Sequence, residues 1–597
     1  QAAGDTLKQA ILDAQGSEID MVSGSTVTSK AVQEAAANCI AQAKGEAVAA
    51  AAASTASTNR PFGYMCDEDW LGQAPEIPEG DIKETITADV VVVGGGHAGT
   101  QAALAAAQQG ASVSVLESHE DGDIVYRGDD ICSYNSKLLE SWGFGPYDLE
   151  EIVNEYVRRA NGRCDTDVIR AFVYNSGEMM DNLASIVPDT SDVFDYAGGQ
   201  CIVQIGYNKT SGKDYPVESE GYKMWASTFQ SIGTQNEKPV GKKQQTGVSR
   251  LSELEIYSRE AAEDLGAVWY CGNSAVVLTQ EADGTVTGVI AQDSDGNYLK
   301  INAKNGVVLA GGGFGGNKEM MDDLLPDIKR LFTKDEDFFA PFGRDGSTIQ
   351  MGVWAGGRLE GDISTMNFDS MAVPDYLPGP LWVDENGQRF QNEAFAGPEI
   401  NGFFMARAKR GNIISIYDST YEIQILRGFP GHQAFEYDMP AVVEAMKGNF
   451  EAAKAAGAEG ANGWYCADTI EQLAEYIGVE PAALSATVEQ YNKVCAEGYD
   501  SDFAKDPHFL NAVAKAPFYA HVTTPSLGFA LVTTGGFVTT NDQQVLNEDY
   551  QPIEGLYASG NTCGMRFGPE YITPIPGVSI GMCLTLGREL GKYLAAK

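Results

Sequence analysis

Two stretches of this 597-residue chain hold residue types whose spacing could do chemistry. The first is Gly94-x-Gly96-x-x-Gly99, inside "ADVVVVGGGHAGTQAALAAAQQGASVSVLES". Glycines so placed permit a tight turn and let backbone N–H groups approach a pyrophosphate at a helix N-terminus. Glu117, closing the next apolar run, can accept hydrogen bonds from a ribose hydroxyl. Turn, helix and acid together predict a dinucleotide site. The second is "RFGPEYITPIPGVSIG", Arg566–Gly581. Its prolines and glycines fix a backbone rather than fill a core, and they hold one tyrosine, Tyr571, just before a helix-like run.

The elements that must position these groups are legible from periodicity. From Ala88 an apolar strand, a glycine turn, an Ala-rich helix and a second strand follow one another. "YLKINAKNGVVLAGGGFGGN", Tyr298–Asn317, reads as a polar strand followed by an apolar strand that ends in glycines. "QPIEGLYASGNTCG", Gln551–Gly564, reads as a further return strand. Upstream, residues 1–44 read as two short helices around a turn, with Val32, Ala35, Ala36, Cys39 and Ile40 at helical spacing. "GEAVAAAAASTASTN" follows as a low-complexity linker.

The length suits three or four domain-sized units. Hydrophobic residues make up 43% and aromatics 10%, the composition of a globular protein. The 83 acidic and 41 basic residues leave a net charge of −42, which argues against nucleic acid or an anionic membrane surface as partner. Ten scattered cysteines include no CxxC pair, and none precedes a histidine, so covalent haem and cysteine-rich clusters are not expected. Five histidines without HExxH argue against zinc. No apolar run reaches the roughly 18 residues of a membrane span. An extracytoplasmic protein, secreted or associated with the cell envelope and with its signal sequence removed, is the expectation for location.

In this order along the chain, "VVVGGGHAG", "VVLAGGGFGGN", "GRDGSTIQMG", "LWVDENGQRFQNE", "TTGGF" and "IEGLYASGN" resemble the fumarate reductase/succinate dehydrogenase type of flavoprotein, especially its soluble exported members, here without haem. The resemblance implies an α/β fold. A Rossmann-like FAD-binding domain would come in two pieces, 84–360 and 525–597, around an inserted α+β clamp domain at 361–524. It places non-covalent FAD against Gly94, Gly96, Gly99, Glu117, Gly312, Gly313, Asp345, Gly560, Asn561, Ser579 and Ile580. Upstream, "DMVSGSTVTS" is similar to the signal at which a threonine takes FMN by a phosphoester. That makes Thr26 the acceptor, residues 1–44 the C-terminal part of an FMN-binding domain, and 45–83 a linker.

The chain departs from the family where substrate would be held. The proton-donating arginine of fumarate reductases falls on Gly397, a carboxylate-binding histidine on Val532, and a second carboxylate-binding arginine on Tyr571. The relay glutamate and arginine fall near Val373 and Tyr376. A carboxylate in an apolar site without partners costs several kcal/mol, which argues against a dicarboxylate substrate; Arg344 and Arg566 leave a single carboxylate open. The Tyr571 segment resembles that of ketosteroid dehydrogenases, where a tyrosine hydroxyl and a glycine N–H hold the substrate's carbonyl oxygen. The matching donors are Tyr571 and Gly577. Proton donors to the α-carbon would come from Tyr376, Arg566 or Tyr126, and His508 and His521 read as surface-loop residues.

The expectation is an exported FAD reductase that saturates a C=C bond conjugated to a carbonyl or aryl group. Electrons from a membrane-associated or soluble donor would pass through FMN to FAD. By family analogy this would serve anaerobic respiration. Three alternatives stay open: a fumarate- or acrylate-type reductase, a ketone dehydrogenase running in reverse, and an electron carrier without a substrate.

Overall fold

The computed structural model describes residues 70–597 apart from 189–192, 198–200, 205–224, 232–238, 330–343, 368–379, 394–411, 428–438, 524–529, 569–570, 572–574 and the single positions 125, 127, 129, 247, 362 and 576. Strand β1 (Ile82–Val93) runs into the glycine turn, helix α1 (His97–Gln108) and strand β2 (Val113–Glu117). A small antiparallel sheet follows, with β3 (Asp130–Cys132), β4 (Cys201–Gln204) and β5 (Thr228–Ser231). Helix α2 (Thr166–Ile186) lies between its strands, and α3 (Arg250–Asp264) comes after them. The chain then forms β6 (Val268–Cys271), the hairpin β7 (Asn273–Gln280) and β8 (Val286–Asp293), and the long β9 (Tyr298–Leu309).

Residues 298–309 form one strand, where the change of pattern suggested two. β9 pairs parallel with β1 along its whole length; on its other edge the first half pairs antiparallel with β8 and shows an alternating burial, whereas its last residues pair parallel with β17 and are buried. Alternation belongs to a sheet with one wet face and a continuous apolar run to a covered parallel strand, so a single strand that passes between the two environments carries both patterns.

Helix α4 (Ser347–Trp354) precedes β10 (Thr365–Asn367), which opens the inserted region. Here β11 (Leu381–Val383), β12 (Ile413–Tyr417), β13 (Trp464–Ala467) and β14 (Phe518–Thr523) make an antiparallel sheet in the order β11-β12-β14-β13. Between β12 and β14 run α5 (Met439–Ala456), α6 (Ile470–Ile477) and α7 (Pro481–Glu497). Their ends follow local rules: Thr469 caps α6 by accepting from Gln472 N–H, Pro481 opens α7, and Gly478 and Gly498 close the two helices in the left-handed region. Arg389 of the "RFQNE" motif is clamped between Glu393 and Asp500, and the buried Lys505 lies 3.5 Å from Glu393 and 3.0 Å from the Tyr491 hydroxyl. His521 corrects the surface-loop expectation. It sits on β14, buried and stacked on Trp464 at 4.4 Å, and burial pushes its pKa down to about 4. His508 lies in a short helical turn, Pro507–Phe509.

Strand β15 (Ala530–Thr533) returns to pair with β10, and β16 (Gln544–Leu546), β17 (Pro552–Ala558) and α8 (Val578–Ala595) complete the chain. The main sheet has the order β16-β17-β9-β1-β2-β6, parallel from β17 to β6. Val90, Val92, Val115 and Val308 pack on one face against α1 and α8; Val91, Val307 and Leu309 pack on the other with Ile349 and Met351 of α4. Covering both faces explains why β1 ends in an unbroken apolar run. Among the described residues no helix is long and apolar enough to cross a membrane.

Candidate functional site

The β1–α1 turn is built so that something can lie against it. Gly94 has φ +103°, and a Cβ on Gly99 would stand 1.9 Å from the Gly94 carbonyl oxygen. Only glycine tolerates both demands. Helix α1 starts at Gly96 without any side-chain cap, so its first-turn N–H groups and dipole are offered to a ligand. The carboxylate of Glu117 is fixed on both oxygens: Oε2 accepts from Gly95 N–H at 2.8 Å, and Oε1 accepts from His119 N–H at 2.9 Å. The acid therefore braces the turn as well as facing the cavity.

This turn opens on a cavity of about 540 Å³. Of the sequence-predicted cofactor residues, Gly94, Gly96, Glu117, Gly312, Asp345, Gly560 and Asn561 line it; Gly99, Gly313, Ser579 and Ile580 do not. Gly99 and Gly313 act one layer back, since a Cβ on Gly313 would collide with Thr533 Oγ1. Strands β2 and β17 lie on opposite sides of β1, so Glu117 and the Gly560–Asn561 turn flank the glycine cradle from opposite sides. A glycine cradle, an uncapped helix start, a ribose-type acid and a cavity that extends to both sides of the cradle fit FAD.

Sequence reasoning missed several lining residues. His97 sits at a variable position of the motif, where type alone gives no signal; its Nδ1 lies 2.9 Å from the buried Glu255 on α3. Cys583 faces the cavity from the second turn of α8. Arg344 also lines it. Tyr126 lines the dinucleotide cavity beside Thr100 and His97, near the phosphate cradle.

Tyr571, Gly577, Ser579 and Arg566 gather around the start of α8. Tyr571 is 8% exposed and packs on Phe567 at 4.8 Å, in a cluster with Tyr134, Tyr156, Trp225 and Ile575. Burial drives its pKa well above the ordinary phenol value, and a hydrogen bond to the Ser579 side chain opposes that shift without cancelling it. The phenol is therefore a neutral donor at every physiological pH. Val532, at the family's histidine position, packs against this same cluster.

Gly577 caps α8 with φ +74°. Its carbonyl accepts from Cys132 N–H at 3.0 Å, and a Cβ would lie 2.7 Å from that nitrogen. The glycine is thus demanded by the approach of β3. Arg566 is 2% exposed; Nε donates to the Cys563 carbonyl at 2.9 Å and Nη2 to Asn561 Oδ1 at 2.8 Å. Tyr376 and Thr26 lie outside the described residues.

Comparisons with known proteins agree with this geometry. Residues 89–572 match the family model described as FAD binding domain, and residues 2–41 match that of the FMN-binding domain. FAD and FMN are the cofactors of these two domains, the FMN being covalently bound in its family. The vinyl phenol reductase of Lactiplantibacillus plantarum is 28% identical over 541 residues, covering 85% of this chain and 96% of its own. The urocanate reductase of Eggerthella lenta is 26% identical, covering 99% of this chain and 85% of its own. Among solved structures, the 3-ketosteroid Δ4-(5α)-dehydrogenase of Rhodococcus jostii aligns with a TM-score of 0.61 at 22% identity, over 88% of this chain and 100% of that one, a likeness of fold. A match that runs from the glycine turn through the inserted sheet to Tyr571 shows that the chain belongs to the FAD binding domain family of flavoproteins, of which fumarate reductases are also relatives.

Proposed function

We propose that this protein is an FAD-dependent reductase that saturates a C=C bond conjugated to an aryl or carbonyl group. The observation that carries the reading is the pairing of Val532 with the Tyr571 cluster. At the two positions where the family's carboxylate-binding side chains would fall, this chain has an apolar side chain and a neutral phenol, packed into one aromatic surface. Such a wall favours an uncharged, flat guest: neither Val532 nor Tyr571 repays an anion's lost hydration, and a dicarboxylate would meet at this cluster the single guanidinium of Arg566, which lies over Phe567. The relatives named vinyl phenol reductase and urocanate reductase support a reductase of conjugated double bonds.

FAD, when bound, supplies a hydride to one alkene carbon, and a proton completes the other. The Tyr571 hydroxyl, kept neutral by burial, donates to the substrate oxygen or ring on which negative charge grows. A donor so placed is worth about a hundred- to a thousandfold in rate. Gly577 N–H is the second donor in this reading, and the left-handed cap fixes its direction. The clamp, residues 361–524, excludes water over the reacting bond. Thr26 would hold FMN, which would supply a relay for electrons from a membrane-associated or soluble donor. The protein works outside the cytoplasm, in anaerobic respiration with a small organic acceptor.

The test is anaerobic stopped-flow reoxidation of the dithionite-reduced protein by vinylphenols, enones, acrylate and fumarate. Fast reoxidation by a neutral vinylphenol or enone supports the reading. Fumarate as the fastest acceptor sinks it.

A further inference from the structure

Arg566 carries a positive charge buried beside the cavity that no carboxylate among the described residues neutralises. The side chain is 2% exposed. Its contacts are the Cys563 carbonyl, Asn561 Oδ1, the Cys583 sulfur at 3.9 Å and the face of Phe567 at 4.9 Å, all uncharged. Among the described residues no carboxylate lies within ion-pair distance of it. Other buried arginines are handled differently: Arg389 has Glu393 and Asp500, and Arg159 has Glu155 at 2.7 Å. A buried charge without a counter-ion is costly, so its retention points to a charge that arrives from elsewhere.

The backbone that presents it is held under strain. Met565 adopts φ +59°, an unfavourable region for that side chain. Its N–H donates to the buried Glu360 at 2.9 Å, its carbonyl accepts from Asp165 N–H at 2.7 Å, and the preceding Gly564 N–H donates to the Phe537 carbonyl at 2.9 Å. Three segments thus fix the turn from which Arg566 extends. Two of its partners, Asn561 and Cys583, line the cavity, and Asn561 follows β17, on the side of the glycine cradle away from Glu117. Since Glu117 marks the ribose of the adenosine half, that other side leads to the flavin half.

We propose that Arg566 is a positioning charge for the redox state of FAD: it favours the reduced ring and so raises the flavin's two-electron potential. The inference rests on the FAD-reductase reading above. Two electrons and one proton, delivered by reduced FMN or by a viologen in the assay, convert the neutral oxidised ring into a ring bearing one negative charge. A guanidinium buried on that side of the cavity interacts with that charge in a low-dielectric surround and leaves the neutral ring almost unaffected.

The experiment is a dye-coupled anaerobic titration of the bound FAD in the full chain, with FAD occupancy read from absorbance. For Arg566→Gln the preference for the reduced over the oxidised ring should fall at least tenfold, about 30 mV for a two-electron couple. Arg566→Lys should keep more than half of the shift. Asn561→Asp, which sets a carboxylate against Nη2 and leaves Arg566 in place, should lower the potential in the same direction and decides the matter if Arg566→Gln fails to fold. An unchanged potential in flavin-loaded Arg566→Gln, or in Asn561→Asp, overturns the proposal. So does an Arg566→Lys shift as large as that of Gln, since charge would then be irrelevant. A wild-type protein that binds no FAD would instead refute the reading of the site on which the proposal stands.

Discussion

Replacing Tyr571 by Phe removes one oxygen and leaves the ring packed on Phe567 and its neighbours, so the change creates no cavity of consequence. Among the described residues, the partner it loses is the Ser579 side chain. A buried hydrogen bond contributes about 1 kcal/mol net, so the variant should unfold at a slightly lower denaturant concentration and retain FAD. The rate is a separate matter. If the hydroxyl stabilises charge on the substrate, its removal should slow the flavin-to-alkene step by more than tenfold and up to about a thousandfold, or about 1.4 to 4 kcal/mol of barrier. Ser579→Ala supplies the control, because it breaks the same internal hydrogen bond and leaves the phenol in place. Single-turnover reoxidation of both reduced variants, measured at equal flavin content, separates the two roles. Tyr571→Phe should lie far below Ser579→Ala. Equal rates, or a Tyr571→Phe rate within threefold of wild type, would show that the hydroxyl only pins the start of α8.

Three further outcomes are expected. Lys505→Met should lower stability by about 3 kcal/mol in urea unfolding, because it leaves the buried Glu393 and Asp500 with Arg389 as their one cation among the described residues. For Asp500, burial would raise the pKa, but hydrogen bonds from Arg389 and from the Lys505 and Phe503 amides outweigh it and hold the value at about 2. Its contribution is therefore fully present above the unfolded value near 4 and disappears as pH falls from about 4 to 2; urea midpoints of Asp500→Asn should show a flatter acid limb than wild type. Thr26→Val should abolish acid-stable flavin fluorescence on a denaturing gel, and a persisting band would place the FMN acceptor elsewhere.

How far the sequence discloses the fold depends on whether a signal is local. The β1–α1–β2 unit is legible because its turn imposes its own residue types: Gly94 needs its dihedral, Gly99 its missing Cβ, and Val90–Val93 their apolarity under two covered faces. The ends of α6 and α7 are legible for the same reason. The continuity of β9 is not, because it follows from which strands flank each half. His521 misleads in a similar way: a polar residue near the end of the inserted domain reads as surface, yet two neighbouring strands and Trp464 enclose it.

The site divides along the same line. Cofactor positions follow from glycines and an acid at fixed spacings, but spacing does not reveal that Glu117 also braces the turn through Gly95 and His119. Gly577 carries the sharper lesson. Its place in a proline-glycine segment suggested an oxyanion donor, and the structure supplies an independent reason for a glycine, the 2.7 Å approach of Cys132 nitrogen to where a Cβ would be. A residue with two sufficient causes cannot be assigned by substitution alone, since Gly577→Ala would disturb β3 whatever its N–H does. Arg566 is the opposite case. Its hydrogen-bond partners are neutral, no carboxylate among the described residues pairs with it, and the turn that presents it carries Met565 at φ +59°. Neutral donors could make those hydrogen bonds at lower cost, so the reason for the charge belongs to the chemistry of the cavity it borders.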